Sequence, residues 1–200
     1  MRFDPKVLEE VASRILELGR RRSVLVGIDG RGGSGKSTFA RELAALLRNA
    51  TVVHFDDFYR PAEERKVRAA SGDDEVGGSF DWRRARDQVL QPLVDGEIAR
   101  YQRYDWDSDE LAEWHLISPG GMVIVEGNYS TRDELRDYYD LTIWVDSPQE
   151  IRLRRGVERD GEDARARWLE EWIPEEDRYV GAYQPADRAD IVISGTASMD

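Results

Sequence analysis

The most restrictive feature of the sequence is a glycine-rich segment, Gly30-Arg31-Gly32-Gly33-Ser34-Gly35-Lys36-Ser37. A short β-branched run at residues 23–28 leads into it, and residues 38–48 behind it carry apolar side chains at helical spacing. This order predicts a strand, a tight loop and a helix in direct succession. Such a unit is typical of α/β proteins, in which loops at the carboxyl ends of parallel strands lead into helices.

The spacing Gly30-x-x-x-x-Gly35-Lys36-Ser37 matches the phosphate-binding P-loop pattern. Glycines let successive N–H groups turn inward on phosphate oxygens, and the helix N-terminus adds a partial positive charge. We expect Lys36 to reach the β- and γ-phosphates and the Ser37 hydroxyl to ligate Mg²⁺. The residues expected to hold ATP are Gly30, Gly32, Gly33, Ser34, Gly35, Lys36, Ser37 and Thr38. The alternative is a flexible Gly/Ser turn without a ligand, which the flanking strand and helix disfavour.

The rest of the chain alternates strand and helix patterns. Asp4-Pro5 begins an amphipathic helix within residues 1–20, and a second helix is predicted near 82–94, before an extended stretch at 98–105. Further buried-type strands are predicted near residues 51–55, 122–125, 141–145 and 191–193. We expect one α/β domain over residues 1–200, a P-loop NTPase with a parallel, doubly wound sheet and helices on both faces. The polar, glycine-rich stretch within about 60–80 is expected to be a mobile loop.

Composition limits the partners of the chain. The formal net charge of −12 disfavours nucleic acid and anionic membrane surfaces, and no apolar stretch approaches the length of a membrane span. Cysteine is absent, which excludes disulfides and thiolate zinc sites. These features favour a cytoplasmic protein whose partner is a small molecule. Whether it forms a homo-oligomer stays open.

Acidic residues follow two of the predicted strands. Asp56 and Asp57 come after the second strand, and Glu126 ends the apolar run at residues 122–125. Carboxyl ends of parallel strands meet at the edge that holds the P-loop, so these acids can reach the γ-phosphate. Carboxylates suit both Mg²⁺ coordination and acceptance of a hydroxyl proton. The alternatives are a solvated loop or helix cap for Asp56 and a charge surfacing at the strand end for Glu126.

These motifs together resemble the small-molecule P-loop kinases of the uridine kinase, phosphoribulokinase and nicotinamide riboside kinase group. The resemblance runs from Val24 to Ile193. Uridine kinases have a similar Asp-x-Phe-Tyr segment, and the resemblance implies that Asp56 is the general base and a partner of Mg²⁺. It also implies a metal role for Glu126.

A basic segment in this acidic chain, within about residues 150–165, resembles the arginine-bearing lid of the family. The resemblance implies catalytic roles for Arg155 and Arg159 and a nucleotide contact for Arg152. Arginines stabilise the charge of a transferring phosphoryl group, and a closing lid excludes water. For any single arginine the alternative is an ordinary salt bridge on an exposed helix face.

The acceptor side is implied mainly by resemblance. Asp81 resembles the aspartate that holds sugar hydroxyls in uridine kinases, and the Tyr104-Asp105-Trp106 segment resembles their Tyr-Asp-Phe segment beside the base. Tyr59 and Asp56, in the segment after the second strand, are further candidates for acceptor contacts. The alternatives are a helix N-cap for Asp81 and core packing for Tyr104 and Trp106.

The sequence also departs from the uridine kinase pattern. Where those enzymes have a histidine five residues after the tyrosine, this chain has Asp109, and His115 lies further on. An anion there would read a base edge differently, and it would suit a cationic or amine-bearing acceptor.

The predicted function is therefore an ATP-dependent kinase that transfers the γ-phosphate to a hydroxyl of a nucleoside or another sugar-like metabolite, with Mg²⁺ as cofactor. The alternative is a nucleotide-dependent regulatory P-loop ATPase without a small-molecule acceptor. The acceptor-side carboxylates disfavour that alternative, because a switch has no use for them.

Overall fold

The computed structural model describes residues 3–19, 23–48 and 50–196. Its strands are β1 (Val24–Asp29), β2 (Ala50–His54), β3 (Ala99–Asp105), β4 (Glu110–Ile117), β5 (Met122–Glu126), β6 (Leu141–Asp146) and β7 (Ile191–Ser194). Five of them form a parallel sheet in the order β2-β5-β1-β6-β7, and β3 pairs with β4 in a separate antiparallel ribbon. The predicted parallel sheet is confirmed.

Helices connect these strands: α1 (Pro5–Glu17), α2 (Lys36–Leu46), α3 (Ala62–Ala70), α4 (Trp82–Ala85), α5 (Gln91–Asp95), α6 (Asp133–Arg136), α7 (Gln149–Asp160), α8 (Arg165–Arg167), α9 (Ile173–Tyr183) and α10 (Pro185–Arg188). A π-helical turn at Arg86–Leu90 joins α4 to α5, and another at Trp168–Trp172 joins α8 to α9. Short 3-10 turns lie at Phe55–Phe58 and Glu162–Ala164.

Two apolar cores, one on each face of the sheet, account for the doubly wound arrangement. On one face α1 and α2 pack through residues such as Ile15 and Phe39, and on the other the α4–α5 helix packs with β3 through Leu90 and Tyr101. Every residue of β1 and β5 is buried, as expected for central strands covered on both sides. No helix within the described ranges is long and apolar enough to cross a membrane.

The N-terminal helix predicted within residues 1–20 is α1. It begins after Asp4, whose carboxylate accepts a hydrogen bond of 2.9 Å from the Lys6 amide, a helix N-cap. Residues 1–2 and 20 lie outside the described part of the chain.

The segment expected to be a mobile loop contains a helix, α3, in its first half. Its second half is attached to the body of the protein through Glu75. That carboxylate accepts hydrogen bonds of 2.7 Å from both the Trp82 indole and the Arg68 guanidinium, and it pairs with the almost fully buried Arg132 at 3.3 Å. Mobility of this segment stays a prediction, but any motion has to break these bonds.

Candidate active site

The P-loop lies between β1 and α2, as its sequence predicts. Gly33 and Gly35 have φ angles of 73° and 107°, in the left-handed region that side chains with a Cβ disfavour. The loop closes with a hydrogen bond of 3.1 Å from the Ser34 amide to the Arg31 carbonyl, and α2 begins immediately afterwards at Lys36. The Lys36 ammonium lies back across the loop, 3.4 Å from that same carbonyl oxygen. The loop therefore places the Lys36 ammonium beside it at the N-terminus of α2.

Strand register brings the predicted metal ligands together at one sheet edge. The last residue of β5, Glu126, is level with His54 on one side and with Ile28 on the other. Its carboxylate accepts a hydrogen bond of 3.0 Å from the Ser37 hydroxyl and lies 2.6 Å from Nδ1 of His54. The hydrogen bond to Glu126 raises the pKa of His54 above its usual value, despite the opposing effect of burial.

Asp56 lies next to these residues and opens into the cleft. Its side chain is accessible to water, but the protein atoms around it limit its hydration. This desolvation raises the pKa of the Asp56 carboxyl, and the positive charge of Lys36 acts against the shift. No group of three or more histidine, aspartate or glutamate side chains within the described ranges could hold a metal by itself. The donor set of Ser37, Glu126 and Asp56 nevertheless fits Mg²⁺, which binds few protein oxygens and keeps phosphate and water ligands.

Two cavities of opposite charge meet at Lys36, Ser37 and Arg159. The cavity outside the P-loop, the donor cavity, has a volume of about 670 Å³ and contains Arg154 and Arg155 with Glu158 as its one acid among the described residues. The second, the acceptor cavity, measures about 340 Å³ and is lined by five acids and by aromatic rings. Its acids are Asp56, Glu126, Asp160, Glu175 and Glu176. The arrangement can hold a polyphosphate on one side of Lys36 and a second molecule on the other.

Of the three arginines with predicted roles, Arg159 alone borders both cavities. A hydrogen bond to Asp160, 2.6 Å long, is the main cause that raises its pKa further above the ordinary arginine value. Arg155 instead donates to the outer carbonyls of the loop, Gly33 at 3.2 Å and Ser34 at 3.3 Å. Arg152 is buried and donates to Ser147 and Glu176, so it does not face either cavity.

Glu176 was not among the residues predicted for this site. Its carboxylate, 4% exposed, accepts from the Gly32 amide at 2.7 Å, from the Asn128 side-chain amide at 2.7 Å and from Arg152 at 3.0 Å. One acid of α9 thus makes hydrogen bonds with the P-loop, with the turn after β5 and with α7. A side chain at Gly32 would collide with this carboxylate, since a Cβ would lie 2.7 Å from Oε1 of Glu176.

Trp168 packs between two glycines that belong to different elements. A Cβ on Gly32 of the P-loop would meet its ring at 2.7 Å, and a Cβ on Gly156 of α7 would overlap the same ring. The indole N–H donates to Asp160 at 3.0 Å. The ring therefore fixes α7 against the P-loop.

The residues predicted for the acceptor divide into two groups. Tyr59 and Trp106 line the acceptor cavity and stack on each other with ring centroids 4.5 Å apart. Tyr104 contacts both rings from outside the cavity lining. Asp81 does not line the cavity: its carboxylate caps α4 by accepting from the Arg84 amide at 3.2 Å and pairs with Arg60 at 3.0 Å.

The two residues that depart from the uridine kinase pattern also lie away from the cavity lining. Asp109 accepts from the Tyr104 hydroxyl at 2.5 Å and from the Ala62 amide at 3.0 Å, and the hydroxyl hydrogen bond is the main cause that lowers its pKa. His115 stacks on Tyr101 with ring centroids 5.1 Å apart.

Several cavity residues were not predicted: Asn128, Tyr129, Trp168, Trp172 and Glu175. Tyr129 has a φ angle of 66°, a strained value that is maintained because its amide donates to the buried Asp29 at 3.1 Å. The available signals were the polar turn directly after Glu126 and the paired tryptophans followed by Pro174-Glu175-Glu176.

The sequence profile of the Phosphoribulokinase / Uridine kinase family matches residues 25–180. The chain belongs to this family. Among curated relatives, the uridine kinase of Halobacterium salinarum is 30% identical over 171 residues, which is 82% of this chain and 72% of the relative. The uridine kinase of Deinococcus deserti is 28% identical over 186 residues, 88% of this chain and 89% of the relative.

Solved structures agree with the family fold. A possible uridine kinase from Bacillus stearothermophilus superposes with a TM-score of 0.71 at 23% identity, covering 94% of this chain and 97% of that one. A putative fructose transport system kinase from Silicibacter gives the same TM-score and identity over 93% and 98% of the two chains. At these identities the superpositions support the fold alone. This family member is a small-molecule kinase with the P-loop fold, and the predicted resemblance is confirmed.

Proposed function

We propose that the protein transfers the γ-phosphate of ATP to a hydroxyl group of a nucleoside or another sugar-like metabolite. The observation that carries the proposal is the meeting of the basic donor cavity and the acidic acceptor cavity at Lys36, Ser37 and Arg159, with Asp56 on the acceptor side. A regulatory ATPase without an acceptor would have no use for the second cavity. A cytoplasmic location stays a prediction.

In this proposal the P-loop amides and Lys36 bind the phosphates, and Arg159 neutralises charge that spreads over the transferred group. Mg²⁺ would be held by Ser37, Glu126 and Asp56, and when bound it would neutralise phosphate charge. Asp56 lines the acceptor cavity together with Lys36 and accepts the proton of the acceptor hydroxyl.

Arg155, which lines the donor cavity, acts with Arg159 to neutralise phosphate charge. The other predicted residues take supporting roles. Arg152 supports α7 and the P-loop through Glu176. Tyr59 and Trp106 form a wall against which a ring can stack, and Asp81 and Tyr104 support that wall from outside the lining.

The test is turnover of Asp56→Asn with Mg²⁺-ATP and a panel of nucleosides, ribosides, sugars and pantothenate. Because the substitution removes the proposed base, kcat should decrease roughly 10²–10⁴-fold with little change in ATP affinity. Asp57→Asn is the matched control, because its carboxylate bonds to the Tyr101 hydroxyl at 3.2 Å and does not line the cavity. Near-normal turnover of Asp56→Asn would remove Asp56 from this role. ADP formed without any acceptor would favour the regulatory ATPase.

A further inference from the structure

The acceptor cavity contains two consecutive acids, Glu175 and Glu176, in the first turn of α9. Their environments differ. Glu176 is neutralised by Arg152 and accepts hydrogen bonds from the Gly32 and Asn128 amides, whereas Glu175 has no cation within ion-pair distance among the described residues. Arg178, whose charge acts on Glu175, is itself paired with Asp74 at 2.8 Å.

Glu175 is half-buried, and the charge of Arg178 is the main effect that stabilises its ionised form, with a smaller contribution from the Gly77 amide. Burial raises the pKa of Glu175, and the nearby charges of Glu176 and Glu171 act in the same direction. An acceptor that fills the cavity removes still more water from this carboxylate. Removing water from an unpaired charge is costly, so the acceptor has to supply a compensating group.

The balance of charge in the acceptor cavity decides which chemical group of the acceptor can compensate Glu175. Five acids face two bases, Lys36 and Arg159, and both bases also border the donor cavity. A bound polyphosphate uses these two bases and adds negative charge of its own. Asp160 is paired with Arg159, and Glu176 with Arg152, so neither is available to the acceptor as a free charge. A second anion would therefore be repelled, and a neutral molecule would leave Glu175 unpaired.

Aromatic rings surround the same space. Tyr59, Phe80 and Trp106 contribute from one side, and Trp168 and Trp172 contribute from the segment that leads into α9. The electron-rich faces of Trp and Tyr attract cations. An aromatic wall beside an unpaired carboxylate favours a positively charged guest over a neutral one of equal shape.

We propose that the acceptor is a hydroxyl-bearing cation, a small metabolite with a protonated amine or another positive group, and that Glu175 is the residue that selects this charge. The inference rests on the proposed function. The acceptor hydroxyl oxygen forms a bond to the γ-phosphorus while the bond from that phosphorus to the β–γ bridging oxygen breaks. The hydroxyl proton passes to Asp56, ADP leaves, and the positive group is unchanged.

The experiment compares charge-matched pairs: amino sugars with their parent sugars, and amino alcohols with the corresponding diols. Binding is measured by calorimetry without nucleotide, so the result does not depend on catalysis. Cationic members should bind the wild-type protein at least about tenfold more tightly than their neutral partners, and Glu175→Gln should lower that ratio by about tenfold. Glu175→Asp keeps the charge and should retain the preference.

Glu170→Gln is the control, since it removes the same charge from an exposed position outside the cavity lining and should leave the ratio unchanged. The inference is overturned if no cationic member binds more tightly than its neutral partner, or if Glu175→Gln leaves the ratio unaltered. ADP formation with the same panel separates the two proposals. Equal turnover of neutral and cationic acceptors would overturn the charge selection alone, whereas ADP formed without any acceptor would also overturn the proposed kinase reaction.

Discussion

Replacing Glu176 with alanine should destabilise the protein and weaken nucleotide binding at the same time. Glu176 is the partner of Arg152, whose side chain is 1% exposed, and the two charged groups lie 3.0 Å apart. Without the carboxylate, Arg152 keeps a buried charge without a counter-charge. The Gly32 amide also loses its acceptor, so the P-loop loses one of the bonds that position it.

The magnitude follows from this burial. Removing one partner of a buried ion pair costs about 3–5 kcal/mol, out of the 5–15 kcal/mol that typically stabilises a domain. For a chain of this size each kcal/mol lowers Tm by about 2–4 °C, so the expected decrease is about 6–20 °C. The exposed pair of Arg154 with Glu158 on α7 provides the control. Its side chains are 67% and 68% exposed and 4.0 Å apart, so Glu158→Ala should cost at most about 1 kcal/mol.

Urea unfolding gives the free energies, and calorimetric titration gives ATP affinity. Glu176→Gln separates the two effects, because an amide oxygen can still accept from Gly32 but carries no charge for Arg152. That variant should remain destabilised while its ATP affinity stays nearer to the wild-type value than that of Glu176→Ala. A loss below about 1 kcal/mol for Glu176→Ala, equal to that of the exposed control, would refute this account of the pair.

Two further predictions concern the segment at 71–79 and the metal. Burial acts to raise the pKa of Glu75, but hydrogen bonds from Trp82 and the charges of Arg132 and Arg83 outweigh it and hold the pKa below its ordinary 4.5. This stabilisation is present above pH 4.5 and is lost as the pH falls through the lowered pKa. Glu75→Gln should therefore lower the free energy of unfolding in urea by about 1–3 kcal/mol at pH 7 and by less at pH 3. Equal losses at the two pH values would contradict this account. Glu126→Gln should raise the Mg²⁺ concentration for half-maximal activity about 10–100-fold, and an unchanged requirement would exclude Glu126 as a ligand.

The sheet edge could be predicted because its determinants are local. Glycine spacing defines the P-loop, and short apolar runs that end in acids place Asp56 and Glu126 at the carboxyl ends of neighbouring parallel strands. The partner of each arginine could not be predicted in this way. A guanidinium on a long side chain can reach a loop carbonyl, a buried acid or a substrate, and Arg155, Arg152 and Arg159 differ in which of these they contact.

Contacts between distant parts of the chain could not be predicted from the sequence either. Glu176 and Gly32 are 144 residues apart, and no periodicity relates them. Strand β4 was missed because acids and a histidine interrupt its apolar alternation in a ribbon that is largely exposed. The stretch at 98–105 was correctly predicted as extended, but its pairing partner was not. For Asp81 the alternative of a helix cap matches the observed contact, since its carboxylate accepts from the Arg84 amide.

The indole of Trp168 has a consequence for how sequences of this type can diverge. Because one ring fills the space beside both Gly32 and Gly156, the residues at positions 32, 156 and 168 are expected to change together. A relative with a side chain at either glycine is expected to have a smaller residue at position 168, and a relative that keeps tryptophan there is expected to keep both glycines. This packing therefore predicts correlated substitutions at three alignment positions, of which position 32 belongs to the P-loop and positions 156 and 168 do not.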